Sequence, residues 1–387
     1  MNVVIIAGGP WQSFIVKYFK AKGHRICVVN PYVTETTVLA DVHVNLDIRK
    51  IDEIAKSLES FHPDVITSDQ CDLAQLPVAN LAKRFGLAGN DIGVVEKFFD
   101  KTKMHEHACS QGILTPKTKS ISCLKDLNDF IDEIGLTVIL KPIDASAGCG
   151  FLKLSKEPTQ EDLDYCFSHS FCGKIIAQQY VNGLEITVDG FIADGVHKSL
   201  SYGVRGYFRD AVISEVRYLN DIVVDQRVWD TNDKYIESSG ANFGITHSEY
   251  ILDQKNDKIY FLESGLRGGG CGLSSHIVPW ISGYNLYDLL YKKLCGESLD
   301  ISVLVPGNKR CGLVKFWEFS PGKVKKLVNQ IQDARVKEFF FFVKEGDEIK
   351  IATNGKERHA VSIILGESGD DLILGEQDVA QNVCIEI

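Results

Sequence analysis

The first 95 residues alternate short apolar runs with longer segments in which apolar positions recur at helical spacing. The runs NVVIIA, RICVVN and DVITSD are typical of buried strands. The segments WQSFIVKYFKAKG and IDEIAKSLESF predict amphipathic helices, and the helical pattern LAQLPVANLAKRFG is interrupted by Pro77. Repeated strand–helix units predict a parallel sheet with helices on both faces, which we assign to an α/β domain over residues 1–95.

Small and acidic residues follow two of these predicted strands. Gly8 and Gly9 end the first strand, and Asp69 ends the segment DVITSD. Because ligands bind at the carboxyl edge of a parallel sheet, these residues are candidates for contacting a substrate. The alternatives are a tight strand-to-helix turn at the glycines and a helix cap at Asp69. The segment AGGPWQSF lacks the GxGxxG fingerprint, which disfavours a nicotinamide oxidoreductase.

The rest of the chain mixes helical and strand patterns. EKFFDKTKMHEHACSQG predicts one helix that ends near Gly112. LTVILKP predicts a strand before the small-residue loop IDASAGCGF, and GKIIAQQYVNGLEITVDGFIADG predicts two more strands. YNLYDLLYKKLCG predicts an amphipathic helix. Strands and turns alternate from about residue 306, with one helix expected near VKKLVNQI, which indicates a small α+β domain over 306–387.

The segment THSEYILDQKNDKIYFLESGLRGGG predicts a hairpin with a glutamate in each strand. A turn centred on Asn256 would pair Leu252 with Tyr260 and Glu249 with Glu263. Directly opposed residues have Cβ atoms about 4.5–5.5 Å apart, and like charges there are destabilising. A divalent cation between the two carboxylates would offset that repulsion. The alternative is a shifted register, or two solvated side chains.

Composition narrows the function classes. The 387 residues are 44% hydrophobic and 24% charged, with a net charge of −10 and no basic run, which argues against nucleic acid as a partner. No apolar stretch approaches the roughly 20 residues that span a membrane, and MNVVIIAGG is typical of a strand rather than a signal peptide. The eleven scattered cysteines contain no CxxC pair, which favours reduced thiols in a cytoplasmic protein.

Several short segments between residues 96 and 220 carry candidate chemistry. The loop IDASAGCG follows Lys141 and has the composition of a loop that covers phosphates, although an ordinary surface hairpin would have it too. Lys101 lies where a predicted helix begins. It is either a candidate cation of the site or an ordinary lysine on a solvated helix face. Gln178, in QQYVNGLEITV, has groups that suit an adenine edge, and Glu185 has a carboxylate that suits ribose hydroxyls.

The order of these segments resembles the ATP-grasp superfamily. A helix with a lysine, a strand with a lysine and a small-residue loop, an xxxGxE turn, and a glutamate hairpin that ends in ExxxR follow one another over about residues 96–300. The resemblance implies a Rossmann-like pre-ATP-grasp domain over 1–95. It also implies an ATP-grasp domain over 96–305 with a lid of about 113–185, and a closing domain over 306–387.

The resemblance also assigns roles to individual residues. It implies that ATP is bound by Lys101, Lys141, Ser146, Gly148, Gly150, Gln178, Tyr180, Val181 and Glu185. It implies that Mg²⁺, or Mn²⁺, is bound by Glu249 and Glu263, and that Arg267 contacts the transferred phosphate or the substrate carboxylate. Arg205 and Arg209, in RGYFRDAVISEVRY, are candidates for a cation that binds a carboxylate or phosphoryl group, or for pairs with surface acids.

The metal motif departs from the superfamily pattern. ExNxR is replaced by ESGLR, so the usual asparagine is missing, and Ser264 is a weak candidate to place a hydroxyl near the metal. His247 and the ES-x-x-R segment resemble the L-amino-acid (dipeptide) ligase branch, and Gly268 is a further weak substrate candidate. The segment NGKERHAVSIILG resembles the closing part of biotin-carboxylase-like chains, where Arg358 is either structural or part of the site.

The resemblance implies an ATP-dependent carboxylate–amine ligase that forms an acyl phosphate and acts on amino-acid-like small molecules. Carboxyphosphate chemistry with bicarbonate is the alternative in the same fold, and a nucleotide-binding protein without ligase activity is a third hypothesis. A homodimer is also expected from the family. The sequence does not name the carboxylate or the amine.

Overall fold

The computed structural model describes residues 1–145, 147–222 and 225–387. The N-terminal segment forms a four-stranded parallel sheet in the order β3-β2-β1-β4. Its strands are β1 (Asn2–Ile6), β2 (Arg25–Val29), β3 (Val42–Val44) and β4 (Val65–Thr67). Its helices are α1 (Gln12–Ala21), α2 (Glu35–Leu39), α3 (Ile51–Leu58) and α4 (Gln75–Phe85), with a 3₁₀ turn at Asp72–Ala74. The predicted parallel sheet is confirmed. The short elements β3 and α2 were not predicted from the apolar periodicity.

Pro77 does not interrupt its helix. It occupies the first turn of α4, where backbone N–H groups have no intrahelical acceptor to lose. The helix predicted over 96–112 is wrong as a single element. It divides into α5 (Ile92–Phe99) and α6 (Lys101–Ser110) at Asp100, whose backbone is extended. The Asp100 carboxylate caps α6 by accepting hydrogen bonds from the N–H groups of Thr102 and Lys103. Lys101 therefore does begin a helix, as predicted.

A second, antiparallel sheet follows, in the order β5-β8-β6-β7. Its strands are β5 (Thr118–Ile121), β6 (Val138–Pro142), β7 (Leu152–Leu154) and β8 (Ile175–Gln179). The helices α7 (Leu124–Ile134) and α8 (Gln160–Ser168) pack on it through Leu127, Phe130 and Leu163. This small unit carries the loop between β6 and β7.

The largest sheet has eight antiparallel strands in the order β13-β12-β9-β10-β11-β14-β19-β17. Its strands are β9 (Leu184–Ala193), β10 (Val196–Arg209), β11 (Val212–Tyr218), β12 (Phe243–Asp253), β13 (Lys258–Gly265), β14 (Cys311–Trp317), β17 (Val336–Phe341) and β19 (Ala360–Gly366). The accompanying helices are α9 (Gln226–Ser238), α10 (Val278–Ser282), α11 (Leu286–Leu294) and α12 (Gly369–Asn382), with a π-helical turn at Leu273–Ile277. Two small ladders pair β15 (Gly322–Lys323) with β18 (Glu348–Ile349), and β16 (Lys326–Asn329) with β20 (Val383–Glu386).

The C-terminal segment differs from the prediction in two ways. VKKLVNQI forms strand β16, which pairs with β20, instead of a helix. The helix of this region is α12, and its start was readable, because Ser368 and Asp371 form a capping box. Strands β14 and β19 extend the large sheet through the β11–β14 pairing, so 306–387 is continuous with the central sheet. The boundary at residue 305 therefore remains a proposal.

One shared core fixes the N-terminal sheet against the central sheet. Phe14 and Phe19 of α1 pack with Phe191 of β9, Ile245 of β12 and Leu290 of α11. All of these side chains are buried, so the N-terminal sheet packs firmly against the central sheet. Among the described residues, no helix combines the length and apolar character needed to cross a lipid bilayer.

Candidate active site

The two hairpin glutamates face each other. Glu249 on β12 pairs directly with Glu263 on β13, as predicted. The register nearer the turn is different, since Leu252 pairs with Ile259 and not with Tyr260. A bulge next to Glu249 adds one residue to β13 and absorbs the difference. The prediction centred the turn on Asn256, but the pairs nearest the turn are centred between residues 255 and 256. The predicted glutamate pairing is nevertheless correct, because the bulge compensates for this difference.

The two carboxylates have different electrostatic surroundings. Burial opposes ionisation of Glu249, but Arg205 outweighs it and lowers the pKa of that carboxyl. The negative charge of Glu249 raises the pKa of Glu263, and burial raises it further. The nearest cation to Glu263 is Lys101, whose Nζ lies 3.9 Å from Oε2. Glu263 is thus an anion that lacks full compensation.

Arg205 joins two of the predicted site residues. Its Nη1 lies 2.7 Å from both Glu185 Oε1 and Glu249 Oε2, and its Nη2 donates to Glu249 Oε1. The side chain is buried on β10, beside β9 and across from β12. The other candidate, Arg209, donates to both carboxylate oxygens of Glu318 at 2.6 Å and lies against the C-terminal segment. The structure brings Arg205 into the acidic cluster and leaves Arg209 outside it.

The two predicted lysines approach the same cluster from the other side. Lys141 Nζ donates to Gln178 Oε1 at 3.0 Å, and Lys101 Nζ donates to the carbonyl of Ala145 at 3.3 Å. Burial and the neighbouring charge of Lys101 lower the pKa of Lys141 to about 8, against the attraction of the glutamates. The amide of Gln178 is fixed by its second bond, from Nε2 to Thr118 Oγ1 at 3.1 Å.

The loop between β6 and β7 has a left-handed backbone at Ala147, Gly148 and Gly150. A Cβ at Gly148 would lie 2.8 Å from the carbonyl oxygen of Ala211, so only glycine permits this approach. The loop therefore rests on the β10–β11 turn. Ser146, predicted to bind ATP, lies outside the described residues.

The predicted adenine segment follows β8. Val181 is buried, whereas the Tyr180 ring is partly exposed and lies 4.1 Å beneath Lys153 Nζ. Tyr180 N donates to the carbonyl of Thr137 at 3.3 Å, which fixes the backbone where the segment leaves the sheet. The structure places this segment beside the start of β6, at the end of that strand opposite the β6–β7 loop.

Arg267 reaches the N-terminal sheet. Its Nε and Nη2 each lie 2.7 Å from one carboxylate oxygen of Asp72, in a bidentate ion pair. A Cβ at Gly265 would lie 3.2 Å from Arg267 Cζ. The position of the missing asparagine therefore faces the arginine, and a larger side chain there would displace the guanidinium.

Asp69 and the first-strand glycines serve the packing of the segment after β13. Asp69 is fully buried and accepts from Gly268 N at 2.9 Å, from Tyr287 Oη at 2.8 Å and from Ser274 Oγ. The carbonyls of Gly8 and Gly9 accept from Thr34 and Thr36 hydroxyls at 2.6 and 2.7 Å. These groups are satisfied within the protein, which supports the tight-turn interpretation of the glycines and gives Asp69 and Gly268 a structural role.

His247 and Ser264 lie on opposite faces of the hairpin. His247 is buried, its Nδ1 lies 2.7 Å from Asp189 Oδ1 and its Nε2 lies 3.7 Å from Glu249 Oε1. Ser264 alternates to the other face, where its hydroxyl bonds to Ser248 at 2.8 Å. The prediction that Ser264 places a hydroxyl near the metal is wrong, because successive strand residues point to opposite faces.

The donor set fits magnesium. Glu249 and Glu263 supply carboxylate oxygens, which are hard ligands, and the repulsion that raises the pKa of Glu263 would be relieved by a cation between them. Within the described ranges, no group of three or more His, Cys, Asp or Glu side chains is arranged to hold a metal by itself. Two carboxylates that share an ion with substrate phosphates match this arrangement.

Some residues of the site carry no clear signal in the sequence. Asp72 and Asp189 hold Arg267 and His247, and Tyr218 donates to Asp189 Oδ2 at 2.8 Å. Asp72 follows a predicted strand end, which is a weak signal. Asp189 and Tyr218 lie in strands of the large sheet, and only the strand order brings their side chains to the site. No local sequence pattern identifies these two residues.

No protein-family profile matches the chain. It is 25% identical over 279 residues to alanine–anticapsin ligase from Bacillus subtilis, a match that covers 65% of this chain and 58% of the relative, so the chain spans little more than half of that protein. The L-amino acid ligase of Bacillus licheniformis has a similar structure, with a TM-score of 0.83, 18% identity and coverage of 100% and 98% of the two chains.

A carboxylase domain also has this architecture. The biotin carboxylase domain of Hydrogenobacter thermophilus 2-oxoglutarate carboxylase, solved as a dimer with magnesium ADP and bicarbonate, gives a TM-score of 0.80 at 15% identity, over 100% of this chain and 90% of that one. The chain has the ATP-grasp fold, as the sequence resemblance implied.

Proposed function

We propose that this protein is an ATP-dependent ligase that joins a carboxylate to an amine on amino-acid-like small molecules. The observation that carries the proposal is the convergence of Lys101, Lys141, Glu249 and Glu263 beneath the β6–β7 loop. Two cations placed opposite an acidic pair suit a magnesium–triphosphate group. The similarity to an alanine–anticapsin ligase supports an amino-acid substrate.

The reaction we propose has two steps. A carboxylate oxygen attacks the γ-phosphorus of ATP, the bond to the β-phosphate oxygen breaks, and ADP leaves. The amine nitrogen then attacks the acyl carbon, the carbon–oxygen bond to phosphate breaks, and inorganic phosphate leaves as the nitrogen loses a proton. The intermediate converts a poor leaving group into a good one.

The residues of the site have distinct roles in this proposal. Lys101 and Lys141 neutralise the phosphates, and Gln178, Tyr180, Val181 and Glu185 hold the nucleoside. Glu249 and Glu263 hold magnesium, which when bound offsets charge on the phosphate oxygens. Arg205 and His247 fix Glu249 in place, and Arg267 meets the transferred phosphate or the carboxylate. The β6–β7 loop, with Gly148 and Gly150, excludes water that would hydrolyse the acyl phosphate.

The test is ADP release from magnesium ATP with pooled L-amino acids, with other small carboxylates and with bicarbonate. We expect a pair of amino acids to stimulate ADP release and to yield an amide product visible by mass spectrometry. Glu263→Ala is expected to abolish the stimulation. Full turnover by that variant would refute the assignment.

Carboxyphosphate chemistry is the second candidate, favoured by the TM-score of 0.80 to a domain solved with bicarbonate. Stimulation of ADP release by bicarbonate alone would select it. ATP binding without stimulation by any substrate would favour a binding protein without ligase activity.

The state and location of the protein are also proposals. We propose a homodimer, which the dimeric carboxylase domain of the same fold supports, and sedimentation analysis would test it. We propose the cytoplasm as the location, because the spacing of the eleven cysteines is typical of reduced thiols.

A further inference from the structure

Arg358 carries a half-buried guanidinium with no carboxylate partner among the described residues. Its Nε donates to the carbonyl of Gly355 at 2.7 Å, and its Cζ lies 3.4 Å from the centre of the Phe316 ring. The stacked ring and the single bond fix the plane of the guanidinium. The two Nη groups have no acceptor in the part of the chain that the structure describes. They form a free fork of N–H donors.

The other arginines around the site are already paired. Their carboxylate partners are Glu185 and Glu249 for Arg205, Glu318 for Arg209, and Asp72 for Arg267. Arg25 also has no carboxylate partner among the described residues, but it lies exposed at the start of β2, against Phe61. Among the described residues, Arg358 is therefore the one partly buried arginine that has no carboxylate partner.

The surroundings of Arg358 increase the cost of leaving it unpaired. Burial lowers the pKa of this guanidinium, and the charge of Arg205 lowers it further. Cys271 is close, but burial raises the pKa of its thiol to about 11, so the thiol is neutral at physiological pH and supplies no counter-charge. A buried cation is stabilised when an anion satisfies both its charge and its donors.

The position of Arg358 connects it with the β6–β7 loop. Gly355 N donates to the carbonyl of Ala147 at 2.7 Å, and a Cβ on Gly355 would lie 3.1 Å from both Ala147 and Arg358 Nη2. The turn that holds Arg358 thus supports the loop that covers the proposed ATP site.

We infer that Arg358 binds a substrate carboxylate that is not activated, namely the free carboxylate of the amino acid that supplies the amine. This rests on the proposed ligase function and deepens it by naming an α-amino acid as the amine substrate. A planar fork recognises a carboxylate in two parallel bonds. Arg358 forms no ion pair with Glu249 or Glu263 in the described part of the chain, whereas Arg205 is bonded to Glu249. A carboxylate held by the fork of Arg358 is therefore a second one, beside the carboxylate that reacts at the acidic pair.

The first test needs no catalysis. Phenylglyoxal modifies arginines that are free of a partner, and peptide mass spectrometry reports the rate at each site. We expect labelling of Arg358 and Arg25, and we expect acetate to slow only the labelling of Arg358, whereas neutral acetamide slows neither. Equal labelling of Arg358 with and without acetate would overturn the inference, whether or not the protein proves to be a ligase.

The second test uses the substrate pair found by ADP release. Arg358→Met removes a charge-assisted bond, so we expect the KM of the amine-supplying amino acid to rise by about 10–100-fold, with kcat and the KM of ATP within a few-fold. Arg358→Lys keeps the charge without the fork and should lie between. Wild-type protein should favour the amino acid over its amide, and Arg358→Met should lose that preference. An unchanged preference would contradict the inference.

The matched control is Arg310→Met. Arg310 also stacks on an aromatic ring, with Cζ 4.3 Å from the centre of Trp280, but it is paired with the exposed Glu367. This variant should keep all kinetic constants. Thermal unfolding of both variants separates lost packing from lost recognition. If Arg358→Met does not fold, the labelling rates and Arg358→Lys still decide the question.

Discussion

Glu263 lies directly opposite Glu249 in the β12–β13 hairpin, yet only Glu249 is covered by an arginine. The Glu263 carboxylate has only the more distant charges of Lys101 and Lys141 to compensate it. The negative charge of Glu249 raises its pKa. Such an asymmetric pair is poised to gain a cation, since the ion compensates the charge that Arg205 does not reach.

Removing the charge of Glu263 should remove the response to metal. We expect Mg²⁺ to raise the thermal unfolding midpoint of the wild-type protein and to leave that of Glu263→Gln unchanged. Substrate-stimulated ADP release should fall by at least about 100-fold in the variant. Glu345→Gln, at an exposed position, is the control. A variant that retains the metal-induced shift in midpoint would show that the ion binds elsewhere.

Lys141 should make nucleotide affinity depend on pH. Its pKa is lowered to about 8 by burial and by Lys101, so its positive charge is present at pH 7 and is lost as the pH rises through that value. Because phosphates bind the charged form, the affinity for magnesium ATP should fall by as much as about tenfold per pH unit above the pKa. Calorimetric titrations across this range would measure the slope.

Lys141→Met should bind more weakly at neutral pH and lose the slope. Lys119→Met changes an exposed lysine on β5 and should behave as the wild-type protein does. A slope that persists in Lys141→Met would assign the titration to another group.

Gly148 should be essential for the position of the β6–β7 loop. Its φ is +72°, and a Cβ added there would lie only 2.8 Å from the carbonyl oxygen of Ala211, so Gly148→Ala has both backbone strain and a steric clash. We expect kcat to fall by about 10–100-fold, because a displaced loop no longer aligns the phosphates. Of the ATP that is still consumed, the fraction hydrolysed without amide formation should rise.

Gly173→Ala separates strain from contact. Gly173 has a φ of +66° but no atom within 4 Å of the added Cβ, so the variant carries the strain alone. It should keep the coupling of ATP hydrolysis to amide formation. If both variants lose coupling equally, the contact with Ala211 is not what positions the loop.

His105 should make the fold sensitive to acid. It is only 8% exposed on α6, and neither ring nitrogen has a partner among the described residues. Burial, with Lys141 and Lys101, lowers its pKa from 6.5 to about 4. The stabilisation from neutral His105 is therefore complete above pH 6.5 and is lost as the pH falls toward 4, by about 3 kcal/mol in all.

Replacing His105 should flatten this dependence. His105→Phe keeps a ring against Phe261 and removes the titrating group, so urea unfolding should show a smaller loss of stability between neutral and acidic pH. His62→Asn, at an exposed position, should retain the wild-type loss. Equal acid sensitivity in His105→Phe would show that other groups control it.

The sequence by itself determined many of the local elements and the pairing of the two hairpin glutamates. Apolar periodicity predicted the parallel strands β1, β2 and β4, and the hairpin composition predicted the opposition of Glu249 and Glu263. These features depend on residues close in sequence, whose spacing alone decides which side chains share a face.

Only the tertiary structure decided which charges are already paired. Arg205 with Glu249, Arg267 with Asp72 and the free fork of Arg358 depend on strand order and on contacts between distant segments. The same long-range pairing made VKKLVNQI a strand, since β20 supplies its partner. Local propensity is weak beside such pairing, and the energy of a charge is set by what surrounds it, which no run of neighbouring residues specifies.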